Sequence, residues 1–78
     1  MISYELARKL HDAGFQSKDN AYIPTLEELI EACGDRFAML GKNKDGWRSM
    51  SNGNFGANVE GTSPDEAVAN LWLILNKK

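Results

Sequence analysis

The sequence has one cysteine and one histidine in 78 residues, and each scarcity closes off a class of protein. One cysteine cannot form an internal disulfide, which excludes a small disulfide-stapled secreted module. His11 and Cys33, without Cys-x-x-Cys or His-x-x-x-His spacing, fall short of the three or four ligands a zinc site takes. No Asp-x-Asp-x-Asp-Gly loop is present for calcium. Gly53, Gly56 and Gly61 do not form a Gly-x-Gly-x-x-Gly or Gly-Lys-Ser phosphate cradle; Gly53 and Gly61 read as turn residues and Gly56 as a bulge. The chain also lacks a basic excess. Its formal charge of −2 and pI near 5.2 disfavour nonspecific attraction to nucleic acid or membrane. The longest apolar run, Leu71 to Leu75, is far below the roughly 20 residues that span a bilayer. Met1-Ile2-Ser3-Tyr4-Glu5 lacks the basic start and apolar stretch of a signal peptide. A cytoplasmic protein without metal, cofactor or membrane contact is the expectation.

What is present reads as one domain spanning 1–78, with 42% apolar and 26% charged residues, inside the globular range. A chain of this length buries only about 60% of its unfolded surface, so its core is small. Ser3 caps a first helix, about Tyr4 to Ala13, with Leu6, Ala7, Leu10 and Ala13 near one stripe. Gly14 supplies a left-handed ending that turns Phe15 back onto it. Gln16 to Ala21 is polar and reads as a loop. Tyr22-Ile23-Pro24 is extended, because a residue before proline is driven out of the helical region. Thr25 and Glu28 form a capping box for a second helix, whose Leu26, Leu29, Ile30 and Cys33 share one face. Gly34 stops it.

The period then changes from helical to alternating. Arg36 to Gly41 reads as a strand, with Phe37 and Met39 on one side and Ala38 and Leu40 on the other. Asn43-Lys44-Asp45-Gly46 is a hairpin turn, and Asp-Gly provides the positive φ such a turn uses. Trp47 to Ser51 is the return strand. After a turn at Ser51-Asn52-Gly53-Asn54, Phe55, Ala57 and Val59 alternate with polar neighbours as a third strand. Ser63 caps the last helix, with Pro64 at its first position and Glu66 closing a capping box. The expected fold is α+β in the order ααβββα: two N-terminal helices, a three-stranded antiparallel meander, and a C-terminal helix on the sheet. The N-terminal helices pack beside that last helix or across its exposed side.

No catalytic constellation emerges. A nucleophilic Cys33 would need His11 as its base. Cys33 instead falls on the apolar stripe of the second helix, near its negative end, and reads as core; His11 reads as a solvent-facing helix residue. Glu27-Glu28 and Asp65-Glu66 are acid pairs that capping and the helix dipole explain. Two surfaces stand out. The last helix is too apolar for one small sheet to cover easily, which marks Trp72, Leu73, Ile74 and Leu75 as a candidate protein interface. The first hairpin sets Lys42, Lys44 and Arg48 around Trp47, a charge-plus-aromatic combination used for nucleic acid.

The order helix, three antiparallel strands, helix also resembles the double-stranded RNA-binding domain. That family places a basic cluster at the start of its last helix, where this chain has Ser63-Pro64-Asp65-Glu66. Three segments, Tyr4 to Phe15, Pro24 to Asp35 and Thr62 to Leu73, together resemble a group of short uncharacterised proteins encoded in bacteriophages and prophage regions. The resemblance implies a viral or mobile-element origin and supplies no activity or site residues. The passage Gly61 to Ala67 is similar to the sheet-to-helix junction of HicB-like antitoxin domains. The expectation is a non-enzymatic phage or prophage accessory protein acting by protein–protein contact, with an unidentified partner or a second copy of itself. The alternative is a nucleic-acid-binding module using Lys42, Lys44, Trp47 and Arg48.

Overall fold

The computed structural model describes residues 2–16, 22–52 and 56–76. Helices α1 (Tyr4–Asp12) and α2 (Leu26–Cys33) are followed by a single 3₁₀ turn (Gly34–Arg36). Strands β1 (Phe37–Asn43), β2 (Gly46–Ser51) and β3 (Asn58–Gly61) come next, then helix α3 (Pro64–Leu75). The strands form one antiparallel sheet in the order β1-β2-β3, with α3 packed on it: an α+β fold in the expected ααβββα order.

The helix ends follow from local chemistry. Ser3 and Ser63 accept hydrogen bonds from Leu6 and Glu66, while Thr25 and Glu28 form a reciprocal capping box. At the end of α1, Gly14 has a φ of 101°. The Phe15 amide donates to Leu10 and the Gly14 amide to His11. This paired ending turns Phe15 into the core, where it is 4% exposed. In α3 the Glu66 carboxylate reaches one residue further back than a capping box requires, accepting from the amide and hydroxyl of Thr62.

The first strand departs from simple alternation. Phe37 pairs with Ser51, but Met39 pairs with Met50, so β1 contains one extra residue at a bulge. The bulge shifts the side-chain phase. Phe37 and Leu40 both pack against the core and Met39 is exposed, correcting the expected grouping of Phe37 with Met39. The third strand begins at Asn58; the expected contributions of Gly53, Asn54 and Phe55 lie outside the described residues.

Two glycines serve close packing and not turns. The hairpin turns through Lys44 and Asp45, whose amide bonds Asn43 Oδ1, while Gly46 opens β2. A Cβ on Gly46 would stand 2.6 Å from the Gly61 carbonyl oxygen, and one on Gly61 would stand 2.6 Å from the Ala67 nitrogen. Gly61 is the last residue of β3 and lets α3 start directly against the sheet. Gly56, with φ 64°, lies before β3 in a connection closed by its amide onto Asn52, so it is a loop glycine and not a strand bulge.

The apolar character of α3 has a structural cause. Ala67 and Ala69 stand about 200° apart around a helix, yet both are fully buried, as are Val68 and Leu71. The sheet covers one flank of α3. Helices α1 and α2 pack on α3 as well and contribute Leu6, Leu10, Leu29 and Cys33 to the same core. Phe15 meets Trp72 edge-on at a centroid distance of 5.2 Å. Both N-terminal helices pack on α3, and neither makes an extensive contact with the sheet.

Candidate functional site

Burial of α3 decides how much of its C-terminal segment remains available for contact. Trp72 is 7% exposed and belongs to the core through Phe15. Leu73 and Leu75 are half-buried and packed against that core, while Ile74 is 48% exposed. The α3 end is further tied down by Arg36, whose Nη1 donates to the Leu75 carbonyl at 3.2 Å. Of the four residues marked in the sequence, Ile74 is the one whose apolar side chain is exposed.

The hairpin quartet is divided by the pleat of the sheet. Ser49 faces α3, because its buried hydroxyl donates to the Ala67 carbonyl at 2.7 Å. Side chains alternate along a strand, so Trp47 shares that side, and its cross-strand partner Lys42 joins it. Arg48 lies on the opposite side beside its partners Gly41 and Glu60. There Arg48 Nη2 donates to Glu60 Oε1 at 2.7 Å, which places a carboxylate on the guanidinium. Lys44 stands exposed in the turn. The four residues therefore do not converge on one positive, aromatic surface.

The side of the sheet turned away from α3 gathers a set of residues that sequence reasoning did not group. Met39 and Met50 are directly paired across β1 and β2, and Arg48–Glu60 and Asn58 lie beside them. Met39 is 47% exposed and Asn58 and Glu60 are exposed, whereas Leu40, Ser49 and Val59 form the α3 side. Among the described residues β1 pairs only with β2, so it forms an edge of the sheet. The bulge is why this surface was not legible. Simple alternation puts Met39 on the same side as Phe37, and the register shift between them separates the two.

Cys33 and His11 are each committed elsewhere. Cys33 is 1% exposed, and burial pushes its thiol up to about 11, with Arg36 opposing weakly. The reading of Cys33 as a core residue agrees with the structure. His11 departs from the expected solvent-facing role: it is half-buried, and its ring nitrogens lie against the carbonyl oxygens of Phe15 and Tyr22. Tyr22 stacks on it at 4.8 Å and Tyr4 stacks on Tyr22 at 4.7 Å. Burial and then the adjacent Tyr4 hold the Tyr22 phenol above its ordinary value. Among the described residues no group of three or more His, Cys, Asp or Glu side chains is assembled as a metal site, and no helix is long and apolar enough to cross a membrane.

The chain matches no family model, no curated protein and no solved structure.

Proposed function

We propose that the protein is a non-enzymatic accessory protein that acts by protein–protein contact, using the sheet side that carries Met39 and Met50 together with the β1 edge. The observation that carries this reading is the exposure of Met39 beside an edge strand, on a face that α3 does not cover. An edge strand offers main-chain donors and acceptors to an added strand of a partner, and paired methionines supply adaptable apolar contact. Arg48 and Glu60 give that surface a polar border. Ile74 is a separate, smaller contact. The phage or prophage setting rests on the resemblance carried by Tyr4 to Phe15, Pro24 to Asp35 and Thr62 to Leu73.

The test compares the tagged wild-type chain with Met39→Asp in capture from host cells, with and without nuclease, alongside sedimentation of each purified protein. The proposal expects a nuclease-resistant partner, or self-association, that Met39→Asp removes while the fold is retained. Identical behaviour of the two proteins would remove this face from consideration. Capture abolished by nuclease would favour the nucleic-acid reading, which the Arg48–Glu60 pair weakens by neutralising one of its cations.

A further inference from the structure

The ring of His11 is held between two backbone acceptors. Its Nε2 lies 2.7 Å from the Tyr22 carbonyl oxygen, and its Nδ1 lies 3.2 Å from that of Phe15. A carbonyl oxygen only accepts, and a neutral imidazole has a single N–H. Either neutral tautomer would therefore aim a nitrogen lone pair at one of the two oxygens. The imidazolium alone donates to both. We infer that protonated His11 is a pH-sensitive clasp that joins the end of α1 to the segment leading into α2.

His11 lies in the last turn of α1, together with Lys9, where the exposed carbonyls give the helix its negative end. Arg8 and Asp12, the charged groups flanking it on the helix, lie 4.0 Å apart and offset one another. Among the described residues, the titratable group facing it from the segment before α2 is Tyr22, with Tyr4 beyond it on α1. The Tyr22 phenol is held above its usual range and stays neutral while a histidine titrates. Toward α3, Phe15 is set edge-on to His11 and is itself backed by Trp72, an uncharged contact among the described residues.

Loss of the proton removes one of the two hydrogen bonds and sets a lone pair against the abandoned oxygen. The strain falls on the Phe15 and Tyr22 ends of the connection, and Tyr22 is also the middle ring of the Tyr4–Tyr22–His11 stack. The clasp is therefore closed at low pH and loosened as pH rises. It couples protonation to the placement of two exposed tyrosines, Tyr4 at 66% and Tyr22 at 39%.

NMR of the full chain between pH 5 and 8 tests the clasp by following both His11 ring nitrogens and the carbonyl carbons of Phe15 and Tyr22. Both nitrogens are expected to carry protons at pH 5. As the ring loses its proton, at least one of the two carbonyl signals should move with the same midpoint. His11→Arg, which donates at every pH in this range, should hold the carbonyl signals constant. His11→Phe, which keeps the stack and donates nothing, should abolish their pH response. A neutral His11 at pH 5, or carbonyl signals that ignore its titration, would overturn the inference. The wild-type titration decides alone if either variant fails to fold.

Discussion

The two flanks of α3 are covered in different ways. On the sheet side the contact is close and uses small groups: Gly61 meets the first turn of the helix, Ser49 donates to Ala67, and Asn70 Nδ2 donates to the Glu60 carbonyl at 3.0 Å. On the other flank the contact is made by bulk, with Leu6, Leu10, Phe15, Leu29 and Cys33 filling the space around Val68, Ala69 and Trp72. Close approach fixes the position of α3 on the sheet, because hydrogen bonds and backbone contacts have strict geometry. Bulk contributes apolar burial, worth roughly 25 cal/mol per Å² removed from water. A small domain with one short sheet needs both. The sheet positions the helix and the N-terminal helices hold it there.

Breaking the bulk side should cost most. Leu29 is fully buried, and Leu29→Ala should destabilise the protein by about 2–5 kcal/mol through lost transfer energy and the cavity left behind. A domain of this length has a total stability of roughly 4–12 kcal/mol, so urea denaturation should show a large fall in midpoint. Breaking the close side comes next. Gly61→Ala puts a methyl group 2.6 Å from the Ala67 nitrogen and 2.9 Å from the Glu66 carbonyl carbon, both backbone atoms that cannot swing away. Overpacking of this kind costs about 1–3 kcal/mol, readable as a lower thermal midpoint. If Gly61→Ala proved neutral, the close-contact account of the sheet flank would fail.

The bulk flank was largely legible in the sequence, and the close flank was not. Leu26, Leu29, Ile30 and Cys33 announce their face by helical spacing, and caps at Ser3, Thr25 and Ser63 mark where each helix begins. The residues that let α3 sit near the sheet have no such signature. Ser49 reads as an ordinary polar strand residue, and Gly61 as a turn, until the partner backbone is in view. The same limit hid the candidate surface. A single extra residue in β1 inverts which side Met39 takes, and alternation alone carries no sign of the bulge. The apolar circumference of α3 was visible, but its cause was not. A helix covered on two flanks and a helix awaiting a partner have the same composition.

Smaller changes sharpen the contrast. Ser49→Ala removes the buried hydroxyl that donates to the Ala67 carbonyl and should cost about 1 kcal/mol, the net worth of a typical hydrogen bond. Arg48–Glu60, on the side of the sheet that α3 leaves open, provides the reference. Both side chains are substantially exposed, so a double-mutant cycle should give a coupling below about 1 kcal/mol that weakens with added salt. A coupling larger than the Ser49 effect would mean that the open side also contributes to holding the sheet.

Cys33 reports on the bulk flank without altering its shape, and its effect is nil at neutral pH. Burial favours the neutral thiol and pushes its titration up to about 11 in the folded chain, whereas an exposed cysteine titrates near 8.5. Below the lower value both states hold the proton and pH has no effect through this group. Above it the unfolded chain releases the proton first, so folded stability declines as pH rises toward 11. The tyrosines and lysines titrate in the same interval, so the measurement is a difference: unfolding free energy of wild type minus that of Cys33→Ala, followed from pH 7 to 11. That difference should be constant to about pH 8 and then fall. Native Cys33 should also resist thiol reagents at pH 8 and react once urea opens the chain. Rapid labelling of the folded protein would show that α1, α2 and α3 close over this position less completely than the sheet closes over Ser49.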